Sequence, residues 1–221
     1  IYIFTTFFKF TGGVMKKFFG LFFILFLFSI TTNAQIQVGL KAGLNISDIV
    51  EDDPGEEATN FDTKLGFVGG VYFNYQFNNM FAVQPEIYYS MKGAKLKDQY
   101  NDLNLKLTYV EIPILLQFIV PLKGTPVKPL LFVGPAMGLN LTAKNERTNN
   151  GQATEEDFKD LIKSTDLGLV FGGGISLPLG KNQLGIDVRY SLGLSNIGKD
   201  TGSATIKNNI INFNLFYGFS F

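Results

Sequence analysis

The run Thr63-Lys64-Leu65-Gly66-Phe67-Val68-Gly69-Gly70-Val71-Tyr72-Phe73-Asn74-Tyr75-Gln76-Phe77 decides the fold. Its odd positions Leu65, Phe67, Val71, Phe73, Tyr75 and Phe77 are apolar, whereas Lys64, Gly66, Val68, Gly70, Tyr72, Asn74 and Gln76 at the even positions are mostly small or polar. Successive side chains of a strand point to opposite faces, so this period of two predicts one strand with a greasy face and a polar one. The run is longer than a soluble strand of about 5 to 6 residues, and it exceeds the roughly 9 to 11 residues with which a tilted strand crosses a bilayer.

The same alternation repeats on both sides of that run. Strands are predicted over 36–49, 63–77, 80–95, 107–120, 128–144, 164–179, 183–195 and 207–221. Their apolar faces include Val38, Leu40 and Leu44; Val110, Ile112 and Ile114; Leu131, Val133 and Met137; Ile186, Val188 and Tyr190; and Phe213, Leu215 and Tyr217. A soluble ligand-binding barrel also alternates, but with a polar exterior. Here the second face carries Gly39, Gly43, Gly70, Gly134, Gly172 and Gly174, which suit a crowded interior and not a solvated outside. Lipid outside and small or polar residues inside is the consistent assignment.

A sheet in hydrocarbon has no water to satisfy an open edge, so it must close. The expected fold class is therefore all-β: an eight-stranded antiparallel up-and-down transmembrane β-barrel. An even strand number places both termini on the periplasmic side, with short turns there and longer loops outside. Short links at 78–79, 121–127 and 180–182 alternate with long ones at about 50–62, 96–106, 145–163 and 196–206. Tyr75, Phe77, Phe81, Phe118, Phe219 and Phe221 lie near the short-link end, as an interfacial aromatic girdle would.

By parity, Lys41, Lys64, Glu86, Lys92, Glu111, Asp166, Asp187 and Arg189 point inward, and their four acids and four bases balance. An eight-stranded barrel has an interior just wide enough for side chains to fill it. Charges there are tolerable only when paired and hydrogen-bonded, so these residues are expected to form a polar network that plugs the lumen. The same residues would serve a narrow ion or solute path, and Glu86 with Glu111 would serve as a general acid and base.

Composition narrows the chemistry. The sequence of 221 residues has no His and no Cys, which removes imidazole and thiolate catalysis and the ordinary zinc site. No cofactor, metal site or enzymatic activity is expected. Nineteen basic against 19 acidic side chains argue against a nucleic-acid partner, which would show a basic excess. The acidic stretch Glu51-Asp52-Asp53-Pro54-Gly55-Glu56-Glu57 lacks the alternating ligand spacing of a calcium loop and reads as a solvated charged loop. Thr154 to Ile162, with acids ahead of Phe158, Leu161 and Ile162 at helical spacing, predicts one or two helical turns over the barrel mouth. Such turns are a candidate contact surface for an envelope protein.

At the N-terminus, Met15-Lys16-Lys17 precedes an apolar run from Phe18 to Ile30 and then Thr31-Thr32-Asn33-Ala34-Gln35. A positive start, an apolar stretch of roughly 7 to 15 residues and a small residue before the break mark a secretory signal peptide. The domain reading is upstream sequence over 1–14, a signal peptide over 15–34 cleaved near Ala34, and a barrel over 35–221. Loss of Lys9, Lys16 and Lys17 with that leader leaves 16 basic against 19 acidic groups, a net charge of −3.

Several motifs resemble the PorT-like outer-membrane β-barrel family: Gly39-Leu40-Lys41-Ala42-Gly43-Leu44-Asn45, Gln84-Pro85-Glu86-Ile87-Tyr88-Tyr89-Ser90-Met91-Lys92-Gly93, Tyr109-Val110-Glu111-Ile112-Pro113-Ile114-Leu115-Leu116, Val133-Gly134-Pro135 and Phe158 to Gly168. The resemblance spans essentially the whole chain after the leader. It implies an eight-stranded, porin-like barrel in the outer membrane of a Gram-negative bacterium, in a family whose namesake is associated with protein secretion and gliding. The expected partners are outer-membrane lipid, the outer-membrane assembly machinery during biogenesis, for which a terminal Phe221 on an alternating strand is a fitting signal, and an envelope protein reached through the loops. The expected function is a structural, interaction or secretion-associated role, with a narrow pore as the alternative.

Overall fold

A computed structural model describes residues 35–52, 62–97, 102–149, 152–199 and 205–221. The leader with its break near Ala34, and the loop residues Asp53 to Glu57, lie outside the described residues.

Among the described residues nine strands run in chain order: β1 (Gln35–Asp52), β2 (Asp62–Gln76), β3 (Phe81–Lys97), β4 (Asp102–Ile119), β5 (Lys128–Asn149), β6 (Gln152–Asp157), β7 (Thr165–Leu179), β8 (Asn182–Gly193) and β9 (Thr205–Ser220). Eight of them close a barrel in the order β1-β2-β3-β4-β5-β7-β8-β9, every neighbouring pair antiparallel. The seam joins the first strand to the last, from Gln37 opposite Ser220 to Asp52 opposite Thr205, so no barrel edge is left open. That closure is what a backbone surrounded by hydrocarbon requires.

The two faces fall as parity predicts. Leu65 is 70% exposed and Leu40 58%, while Tyr72 and Asn45, on the other parity of the same strands, are 2% and 0% exposed. Exposed apolar side chains continue around the wall through Ile87, Ile114, Leu131, Phe171, Ile186 and Leu215. At the short-turn end, Phe77 stacks on Phe81 at 6.3 Å, Phe81 meets Phe118 at 5.3 Å and Tyr217 meets Phe219 at 4.9 Å, which builds the aromatic girdle from real ring contacts. Inside, a methyl group on Gly39 would run into the Tyr72 ring, so the missing side chain is the space that ring occupies.

Three expectations are corrected at the long-loop end. The link 96–106 is mostly strand, because β3 runs to Lys97 and β4 begins at Asp102. The helical turns expected over Thr154 to Ile162 are instead β6, paired with Lys144 to Asn149 of β5, followed by a single 3-10 turn at Lys159–Leu161. Here a ready-made partner strand outweighs local helical spacing, because the backbone of 152–157 finds its bonds across the hairpin. Third, strict alternation fails on β5. Thr108 faces Thr142 but Tyr109 faces Asn140, leaving Leu141 as a bulge, and beyond it Ala143 turns inward where Thr142 was expected.

Candidate functional site: the lumen and its two ends

The inward charged residues separate into two networks at different depths. The first is a closed ring of Lys41 on β1, Glu86 on β3 and Asp187 with Arg189 on β8. Lys41 Nζ lies 3.1 Å from Glu86 Oε1 and 2.7 Å from Asp187 Oδ2. Arg189 donates from Nη1 to Glu86 Oε2 at 2.7 Å, and from Nε and Nη2 to the two Asp187 oxygens at 3.1 Å each. β3 and β8 stand on opposite walls of the barrel, so the Arg189–Glu86 bond is a strut across its full width. Asp187 and Arg189 meet because residues two apart on a strand share a face.

Neutral donors complete the ring. Gln84 Nε2 donates to Glu86 Oε1 at 2.6 Å and Asn214 Nδ2 to Asp187 Oδ1 at 2.8 Å. The cations also lie over rings: Lys41 at 5.2 Å from the Phe216 centroid, Arg189 at 5.1 Å from Phe132 and 5.7 Å from Tyr88. Taking four charges out of water is costly, and mutual attraction offsets the cost only when the remaining lone pairs and protons are also bonded. Two cations, two anions and these neutral donors meet that condition.

The second network lies nearer the long loops. Lys92 Nζ is 2.6 Å from Glu111 Oε1 and 3.8 Å from Asp166 Oδ2, and it sits 4.7 Å over the Tyr109 ring. Asp166 also accepts from Asn208 at 2.9 Å and Ser195 at 3.1 Å. Lys64 joins neither network; its ammonium donates to the Leu105 carbonyl at 2.7 Å. Glu86 and Glu111 therefore belong to different networks, each committed to its own cations, and are not brought together as an acid and base pair. One void of about 20 Å³ lies between the networks and another of about 20 Å³ beside Lys92, Glu111 and Asp166, each close to the space of a single water.

The two ends of the lumen differ in kind. At the long-loop end Ile49, Ala94, Leu107, Tyr109, Ala143, Ile162 and Ile197 pack as one apolar cluster, with Leu105, Phe158 and Ile206 against it. Ile162 and Ile197 come from the connections after β6 and after β8, and they are 8% and 1% exposed. Backbone bonds hold them: Phe158 N–H to Ala143 O at 3.0 Å, Lys163 N–H to Ile197 O at 2.7 Å, and Lys199 N–H to Leu161 O at 2.8 Å. No single strand pattern spells out this plug. Ile49, Leu107 and Tyr109 fall on the lumen parity of their strands and carry part of its signal, but Ile162 is marked only by a helical spacing that gives way to a single 3-10 turn, and Ile197 belongs to no period.

At the short-turn end a cavity of about 440 Å³ opens beside Gln35 and Phe221. Carboxamides dominate its wall, among them Gln37, Asn74, Gln76, Gln84, Gln117 and Gln183, with Lys41 and Asp187 of the ring at its floor. Strand parity marks Asn74 and Gln76 as inward from the sequence, and the same signal places Gln37, Gln84, Gln117 and Gln183, which had not been singled out.

Comparison with known proteins agrees with this architecture. No curated protein matches the chain. Among solved structures, the chain is similar to the outer membrane protein OprG from Pseudomonas aeruginosa, at 14% identity over 87% of this chain and 97% of that one, with a TM-score of 0.52. It is similar to a major outer membrane protein from Thermus thermophilus, at 13% identity over 84% of this chain and 99% of that one, with a TM-score of 0.51. At such identities the likeness shows the fold alone. Residues 31–198 match a family described as the outer membrane protein beta-barrel domain, which covers well over half of the sequence and the charged members of both networks. A closed eight-stranded wall with a lipid-facing apolar exterior, and this match, make the chain a member of the outer membrane protein β-barrel domain family, at home in the outer membrane of a Gram-negative bacterium.

Proposed function

We propose that this barrel is a non-conducting, non-enzymatic element of the cell envelope, whose outer strands or periplasmic rim engage another envelope component. The observation that carries the reading is the double closure of the lumen. The ion ring of Lys41, Glu86, Asp187 and Arg189 spans it at one level, and the Ile162 and Ile197 plug fills it at another. A conduit needs a continuous wet path, and neither level leaves one. The inward carboxylates are spent on ion pairs, and the sequence supplies no His to act beside them.

Within this reading, residues 1–14 are upstream sequence, 15–34 a leader cleaved near Ala34, and 35–221 the exported barrel, delivered to lipid by the outer-membrane assembly machinery. The finer role is structural, interaction-based or secretion-associated. Planar-bilayer recording tests the core of the proposal: the refolded barrel is expected to give no steady current steps. Selective single-channel conductance that Glu86→Gln abolishes without loss of folding would replace this reading by the narrow-pore alternative. Co-purification from native envelopes after crosslinking through Lys159 is expected to capture a protein partner.

A further inference from the structure

We infer that the periplasmic cavity is a binding site for a short saccharide, entering from the short-turn end and stopping at the ion ring. The cavity of about 440 Å³ falls within the roughly 300 to 1,000 Å³ typical of small-molecule sites. It is blind, because the Lys41–Asp187 contact at 2.7 Å closes its floor. A blind polar pocket holds a ligand; it does not pass one.

The wall specifies the chemistry. A carboxamide offers a donor and an acceptor side by side, as neighbouring sugar hydroxyls do, and so complements them in either direction. These amides are already oriented. Asn74 Nδ2 bridges Gln84 Oε1 at 2.9 Å and Gln117 Oε1 at 2.8 Å, while Gln84 is itself fixed on Glu86. Gln183 donates to Gln37 Oε1, and Gln37 donates onward to Ser220 Oγ at 3.0 Å. Holding the polar groups in place beforehand lowers the ordering cost of binding. With Gln117 Oε1 and Gln183 Nε2 engaged in the wall, Gln117 Nε2 and Gln183 Oε1 are the groups presented to a ligand.

Apolar surface agrees with a saccharide. Lys41 is held between two carboxylates, so the floor is electrically balanced, and the basic excess of the lining comes from Lys128 and Lys181, which are exposed to solvent at the mouth. Ile119, Leu130 and Phe216 interrupt the polar wall and suit the C–H faces of a sugar ring. A lipid chain would cover Gln117 Nε2 and Gln183 Oε1 without bonding them, and an unmet polar group shut away from water is costly.

Calorimetry on the folded barrel tests the assignment, in an amine-oxide detergent whose headgroup carries no sugar. The probes are maltose, which has hydroxyls alone, and N,N′-diacetylchitobiose, which adds acetamides. Saturable binding of at least one probe is expected, with a Kd between about 1 μM and 1 mM. Gln117→Leu and Gln183→Leu are each expected to weaken it at least about tenfold, with folding confirmed by heat-modifiable gel mobility. Gln183 stands beside the β7–β8 turn and is only partly buried, so its variant keeps the test open if Gln117→Leu misfolds. Absence of saturable binding by both sugars, or unchanged affinity in a folded variant, overturns the proposal.

Discussion

The two ends of one lumen solve the same problem with opposite chemistry. Toward the long loops the barrel is filled by hydrocarbon borrowed from connections, with Ile162 and Ile197 folded back into the mouth. Toward the short turns it stays open and is lined with amides. Among the described residues the connections at the short-turn end turn no buried side chain inward, so that end keeps its space, whereas the connections after β6 and β8 contribute Ile162 and Ile197. Strand residues of lumen parity and the two loop isoleucines seal the long-loop end together.

An all-or-none measurement can break this comparison first. The chain contains no cysteine, so single replacements report cleanly. Lys159→Cys is expected to react with an impermeant thiol reagent on intact cells and Lys181→Cys only after the envelope is opened. The reverse pattern would exchange the two ends. Next in size is the ring that divides them. Arg189→Met leaves Glu86 and Asp187 with a single cation and is expected to cost about 3 to 5 kcal/mol in a urea unfolding titration, as removal of one partner from a buried pair does. Adding Glu86→Gln is expected to return part of the loss, because the ring is then balanced again; a further loss of equal size would mean the pair is not coupled.

On the lipid face, Leu215→Arg is expected to cost about 2 to 4 kcal/mol if it lies near the bilayer midplane. Equal tolerance of arginine there and at exposed Lys159 would place that face in water. Within the plug, Ile197→Ala is expected to cost about 2 kcal/mol, the low end for a buried isoleucine, since the mouth can settle around it. Bilayer recording of the same variant is expected to stay silent, because the ion ring still spans the barrel. At the amide end the effect is smallest: Gln76→Ala, half-buried at the rim, is expected to change stability by less than about 0.5 kcal/mol.

The wall of this barrel was legible in the sequence because a strand writes its face at every second residue. Leu184, Ile186 and Val188 announce their outward side with no knowledge of any neighbour. So does the meeting of Asp187 with Arg189, which needs only one strand. The partnership of Glu86 with Arg189 was not legible, because it crosses the lumen between opposite walls and depends on the stagger of every strand between them. Nor was the inward turn of Ala143, which follows from an unpaired Leu141 that only the facing strand reveals. Thr154 to Asp157 misled for the same reason: their fate was set by Lys144 to Asn149, a partner that local spacing does not mention.

One dimension of β5 carries a consequence for encounter with partners. At 22 residues it exceeds the roughly 9 to 11 that a bilayer crossing needs, and β4 accompanies it as far as Asp102 and β6 lines its far end. The surplus stands outside the hydrocarbon as paired sheet in place of slack chain. Ordering a residue costs about 1 to 2 kcal/mol of backbone entropy, and here folding has met that cost before any partner arrives. A protein or glycan meeting this extension collides with a stiff blade, so affinity there depends on fit and not on recruiting a floppy tether.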